Sequence, residues 1–164
     1  MTDPSIARDR ATHVPSWLVL IGFVLLCQLA GGLGAVATDP GLYRELERPT
    51  WAPPGWLFGP VWLFLYTTMG IAAWLVWKSE APTRNRALIA FGIQLALNAL
   101  WTPVFFGVPS LGGGLVVIAL LNVAILVTTI ELGRISQLAA WLLVPYASWV
   151  GFATALNAKL WLLN

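Results

Sequence analysis

The stretch ALIAFGIQLALNALWTPVFFGVPSLGGGLVVIALLNVAILVTTI, residues 87–130, contains no Asp, Glu, Lys or Arg. An α-helix rises about 1.5 Å per residue and the hydrocarbon core of a bilayer is about 30 Å thick, so one crossing takes roughly 20 residues. Residues 87–130 therefore hold two crossings, with Gly107, Pro109 and Gly112 to Gly114 marking a tight turn between them. Outward from this stretch, uncharged runs between Arg10 and Asp39, Arg48 and Lys78, and Arg134 and Lys159 hold one crossing each. The sequence thus specifies an all-α integral membrane protein, a five-transmembrane-helix bundle spanning about residues 17–37, 56–77, 87–107, 111–132 and 138–161. Residues 1–16 form a polar N-terminal tail, and 17–164 form a single transmembrane domain.

Composition points the same way. Of 164 residues, 59% are hydrophobic and 10% charged, with a mean hydropathy of +0.79, where a soluble domain carries about 25% charged residues. No water-soluble fold of this length hides so much apolar surface. In lipid, every spanning backbone group must pair within its own helix or within a closed barrel, and long unbroken apolar runs select the helix. The first run exceeds the roughly 7 to 15 apolar residues of a signal peptide. It is read as a retained span, although Ala35-Val36-Ala37 resembles a cleavage site.

The net charge of +2 and pI near 9.0 do not indicate a nucleic-acid partner, because the nine basic residues are spread over every loop rather than gathered on one face. They act as topology signals. Arg8, Arg10, Lys78, Arg84, Arg86 and Arg134 fall on the N-terminal side of the membrane, against Arg44, Arg48 and Lys159 on the other. For a protein of a bacterial inner membrane, this excess puts the N-terminus in the cytoplasm.

The five spans are read as free of ionisable groups, which membrane enzymes and proton-coupled transporters keep at membrane depth. The only histidine, His13, lies in the tail, so no ligand set for zinc, iron or haem is expected. Cys27 is alone and forms no internal disulfide. No cofactor is expected. Any pocket must work with aromatic faces, amides, hydroxyls and shape.

Ten tryptophans supply the aromatic faces. Trp17, Trp56, Trp77, Trp141 and Trp161 fall near predicted helix ends, where an amphipathic ring suits the bilayer interface. Trp62, Trp101 and Trp149 sit instead among polar residues at helical spacing. Gln94, Asn98, Trp101 and Phe105 share one face of the third span; Tyr146, Trp149, Ala153 and Asn157 repeat nearly the same spacing on the fifth. The second span adds Trp62, Tyr66 and Met69. Amides are costly against lipid, so these faces point inward. Whether Gln94, Asn98 and Asn157 serve a pocket or bond neighbouring helices stays open from spacing alone. In the first loop, Thr38-Asp39-Pro40 can cap a short helix carrying Leu42, Tyr43 and Leu46 on one face. Pro49, Trp51, Pro53 and Pro54 stiffen the entry into the second span. Such a segment suits either a lid over the bundle or an interfacial turn.

Four ordered motifs carry a family resemblance: RPTWAPP at 48–54, GPVWLFLY at 59–66, QLALNALWTPVFF at 94–106 and VPYASW at 144–149. Together with five spans and a long first loop, they resemble the signature segments of the tryptophan-rich sensory protein/translocator protein (TspO) family. The resemblance implies a five-helix bundle, commonly a homodimer, with a pocket that binds porphyrins, chiefly protoporphyrin IX, and in relatives sterols or benzodiazepine-type drugs. By motif matching, Trp62 and Trp149 take the positions linked to porphyrin binding and its light-dependent breakdown. Tyr43 matches a lid tyrosine. Asn98, Trp101 and Ala153 match pocket positions, and Tyr66, Gln94 and Tyr146 complete the expected ligand-binding set. The C-terminal sterol motif of the family needs a tyrosine that this chain lacks after Trp149.

Three functions are compatible with this pattern: a receptor, sensor or carrier for a flat tetrapyrrole, a porphyrin-degrading enzyme using pocket indoles, and a secondary transporter. The last has the least support, because inverted repeats and midplane ionisable residues are missing from the sequence. On the first span, Ala30/Gly34 and Gly31/Ala35 form small-xxx-small faces that point to a homodimer contact.

Overall fold

The computed structural model describes residues 14–36, 41, 45–106 and 110–164, without the side chains at 34, 35 and 106. Its five long helices are α1 (Ser16–Val36), α2 (Phe58–Trp77), α3 (Arg84–Phe106), α4 (Leu111–Gly133) and α5 (Gln137–Leu163), with a 3-10 turn at Gly55–Leu57 leading into α2. All five are long and apolar enough to cross a membrane. No strand occurs among the described residues. Local chemistry sets several ends: the Ser110 hydroxyl accepts from Gly113 N–H at the start of α4, and the Ser136 hydroxyl from Ala139 N–H at the start of α5.

The helices close into a ring in the order α1, α2, α5, α4, α3. Consecutive α2 and α3 touch only slightly, because α1 stands between them on the ring. Outward-facing positions are aliphatic, as lipid requires. On α1 these are Leu18, Ile21, Leu25, Leu29 and Leu33. Trp17, Trp56, Trp141 and Trp161 are exposed at helix ends and Trp77 half-buried, as interfacial rings should be. Trp74 also serves the N-terminal end of the bundle, where its Nε1 donates to Ser16 O at 2.9 Å and Ser16 Oγ at 3.0 Å.

Without a hydrophobic force between helices in lipid, close packing holds the ring together. At Gly70 on α2, an added Cβ would lie 2.6 Å from the Cα and 2.8 Å from the N of Val24 on α1. Backbone cannot swing aside as a side-chain tip can. Gly70→Ala is therefore expected to destabilise the bundle by about 1–3 kcal/mol, the usual cost of overpacking. Thermal unfolding in detergent measures it, and an unchanged midpoint would contradict this packing.

Two expectations from the sequence need correcting. Gly31 does not offer a free face for a second copy, since an added Cβ there would lie 2.1 Å from Cε2 of Tyr66, and Ala30 also packs on the core. Gly31 thus admits an aromatic ring inside the bundle. Nor are the spans free of ionisable groups. Glu131 is buried in the last turn of α4 and Lys159 is exposed near the end of α5. Helices outlast the hydrocarbon core, so charges near their ends remain helical.

Candidate ligand cavity

A cavity of about 410 Å³ opens between α1, α2 and α3, in the half of the bundle facing the α1–α2 connection. Its walls include Phe58, Trp62, Tyr66 and Trp101, with Gln28 and Thr102 as polar members and Gly31, Gly32 and Gly59 giving room. Among the described residues, no charged side chain lines it. Trp62 stacks on Tyr66 (centroids 5.2 Å apart, planes at 26°) and meets Tyr146 edge-on at 6.4 Å.

Behind the Tyr66 wall runs a buried hydrogen-bonded chain. Tyr66 Oη donates to Asn98 Oδ1 at 2.6 Å, Asn98 Nδ2 donates to Tyr146 Oη at 3.0 Å, and Tyr146 Oη donates to Gln94 Oε1 at 2.9 Å. Three helices are joined, and the tyrosine ring facing the cavity is fixed from behind. Gln94 Nε2 ends the chain, buried and without a partner among the described residues. The Gln94–Asn98–Trp101–Phe105 face points inward along its length, all four side chains being buried.

Trp101 stacks on Phe105 at 5.1 Å, and its Nε1 donates to Asn157 Oδ1 at 3.4 Å. The Asn157 amide donates onward to Leu111 O at 2.8 Å. Trp101 and Phe58 also border a second void of about 20 Å³, lined further by Phe105, Ala153, Leu156, Asn157 and Leu160. Trp149 stands behind Phe58, edge-on at 5.8 Å, and against Phe152 at 5.5 Å; its Nε1 is buried without a partner among the described residues.

Of the residues expected to bind ligand, Trp62, Tyr66 and Trp101 line the main cavity, and Ala153 lines the small one. Asn98, Gln94 and Tyr146 form the bonded chain behind Tyr66, and Trp149 packs behind Phe58. Trp62, Asn98 and Trp149 therefore do not face one common cavity in this structure. Tyr43 lies outside the described residues. In the described part of the first loop, Trp51 meets Phe152 edge-on at 5.8 Å. Glu47 donates its N–H to Asn164 Oδ1 at 2.9 Å, and its carbonyl accepts from Asn164 Nδ2 at 3.1 Å. The loop is thereby tied to the end of α5, and Asn164 gave no sign of this in the sequence.

Gln28 was also missed. Its Nε2 donates to Leu63 O at 3.0 Å and Thr67 Oγ1 at 3.1 Å, so both amide hydrogens are used and Oε1 remains as an acceptor at the cavity wall. A lone amide in an otherwise apolar span was the available signal.

Five membrane-length helices, three of them lining an aromatic cavity, define a multi-pass membrane protein with a small-molecule-sized space between its helices. Residues 23–162 match the TspO/MBR family. The chain is 40% identical to the translocator protein of Homo sapiens, with 90% of each chain covered. It is 40% identical to the tryptophan-rich protein TspO of Chlorobaculum tepidum, covering 88% of this chain and 92% of that one. Against the tryptophan-rich sensory protein of Cereibacter sphaeroides, identity is 34% with 90% and 92% covered. The protein belongs to the TspO/MBR family.

Proposed function

We propose that this protein is a membrane receptor, sensor or carrier that binds a flat hydrophobic tetrapyrrole, protoporphyrin IX, in the cavity between α1, α2 and α3. The observation that carries the proposal is the cavity wall: Phe58, Trp62, Tyr66 and Trp101 border about 410 Å³ with no charged group among the described residues. Aromatic faces stack on a planar macrocycle, and a volume of roughly 300–1,000 Å³ is usual for a ligand site. Propionates would find the amide of Gln28, the hydroxyl of Thr102 or the loop above. A ligand reaching Trp149 as well requires Phe58 to rotate out of the way.

A second function rests on the same wall. Trp62 borders the cavity, so a bound porphyrin excited by light would have an oxidisable indole beside it, with dioxygen as the oxidant. Light-dependent breakdown of the ligand is the corresponding activity. Sterol binding and secondary transport have no comparable support.

The test uses Gly32, which lines the cavity and whose added Cβ meets nothing within 4 Å. Gly32→Phe is expected to fill the cavity without straining the helices. Fluorescence titration with protoporphyrin IX in the dark should show affinity falling by more than about tenfold, or roughly 1.4 kcal/mol, at an unchanged melting temperature. Equal affinity in the two proteins would remove the cavity as the porphyrin site.

A further inference from the structure

At the end of the bundle opposite the cavity, Glu131 in the last turn of α4 is 5% exposed. Its Oε1 accepts from Arg86 Nη2 at 2.8 Å, from the first turn of α3, and from Arg134 Nη1 at 2.6 Å. Two guanidinium charges on one carboxylate leave one positive charge. The arginine side chains stay 69% and 57% exposed. One buried oxygen holds both heads side by side, and neither arginine has another partner among the described residues. The other described basic groups on this face are engaged elsewhere: the Lys78 ammonium lies 4.3 Å over the Trp74 ring, and Arg84 Nη1 reaches the carbonyls of Trp77 and Ser79 at 3.4 Å.

Each arginine also ends an exposed aliphatic stripe. Arg86, Ile89 and Ile93 recur at i, i+3 and i+7 on α3; Val123, Val127, Ile130 and Arg134 recur at i, i+4, i+7 and i+11 on the neighbouring α4. A paired cationic head above two aliphatic tracks is complementary to a lipid, with phosphate at the head and acyl chains below.

We propose that Arg86 and Arg134, positioned by Glu131, bind the phosphate of one anionic phospholipid whose acyl chains lie along these two stripes. Guanidinium groups donate paired hydrogen bonds to phosphate oxygens, and basic pockets between transmembrane helices take anionic headgroups. A zwitterionic lipid brings its own cation, which the arginine pair repels. Soluble phosphate has no use for the stripes.

The full chain in neutral detergent is offered dioleoylphosphatidylglycerol or dioleoylphosphatidylcholine, and retained lipid is counted by native mass spectrometry. Wild type is expected to hold the glycerol lipid more tightly by about tenfold or more, the size set by two basic side chains at a charged headgroup. Arg86→Gln/Arg134→Gln should abolish the preference. Arg86→Lys/Arg134→Lys keeps charge and ion pairing but loses the paired donors, so it should keep the preference for phosphatidylglycerol while holding that lipid several-fold more weakly than wild type; it alone decides if the glutamine variant does not fold. Equal retention of both lipids by wild type, undiminished retention of phosphatidylglycerol by the lysine variant, or displacement of the lipid by equimolar inorganic phosphate would overturn the proposal.

Discussion

Trp62→Phe protein saturated with protoporphyrin IX should bleach under constant light more slowly than wild type by a factor well beyond its change in dark affinity. Trp62 borders the cavity and stacks on Tyr66, so an indole edge or face meets any ligand held there. Phenylalanine keeps an aromatic apolar surface, which limits the affinity change to the roughly 0.5–1.5 kcal/mol of one aromatic contact, about tenfold at most. It removes one of the two indoles at the wall, Trp101 being the other. Trp149 lies behind Phe58, so Trp149→Phe should have the smaller effect unless the ligand displaces Phe58. Dark fluorescence titration and aerobic absorbance decay of the saturated protein make the matched pair of measurements on each variant. Wild-type decay in both variants would leave Trp62 and Trp149 as pocket walls only.

Helix number was legible because charge is so sparse: each uncharged run was long enough for one crossing or, at residues 87–130, for two. Helix ends were less so. The spans were measured by hydrocarbon thickness, whereas α3 starts at Arg84 and α5 runs past Lys159 to Leu163, since arginine, lysine and leucine all favour helix outside the lipid. For the same reason Glu131 belongs to α4 although it marks the edge of an uncharged run.

The inward stripes were legible too, because an amide facing lipid is too costly to tolerate. Spacing on one helix fixes a face but not what stands opposite. Ring order brings Tyr66, Asn98 and Tyr146 from three helices to one chain of bonds, and it sets Phe58 between Trp149 and the main cavity. Neither relation has a signature within a single segment. Both readings of the amides meet in one construction, where Asn98 and Gln94 bond neighbouring helices and by doing so hold a wall of the cavity.

That construction makes Tyr146→Phe the most informative change to stability. The ring is fully buried and its shape is preserved, so the substitution removes one oxygen and little else. Asn98 Nδ2 then loses its acceptor and Gln94 Oε1 its donor, in residues 1% and 0% exposed. Gln94 Nε2 is already without a partner among the described residues, which leaves the whole Gln94 amide unpaired. A buried polar group deprived of its partner costs about 1–3 kcal/mol, so losing two should cost about 2–4 kcal/mol, well above the roughly 0.6 kcal/mol averaged by interhelical hydrogen bonds in membranes. Unfolding titration in mixed micelles reads this directly. Adding Gln94→Leu to Tyr146→Phe removes the stranded amide altogether, and the double variant should recover part of the loss, because replacing both partners by apolar groups is cheaper than leaving one behind. If Tyr146→Phe unfolds within about 0.5 kcal/mol of wild type, or if the two losses simply add, the chain from Tyr66 to Gln94 is not a coupled network.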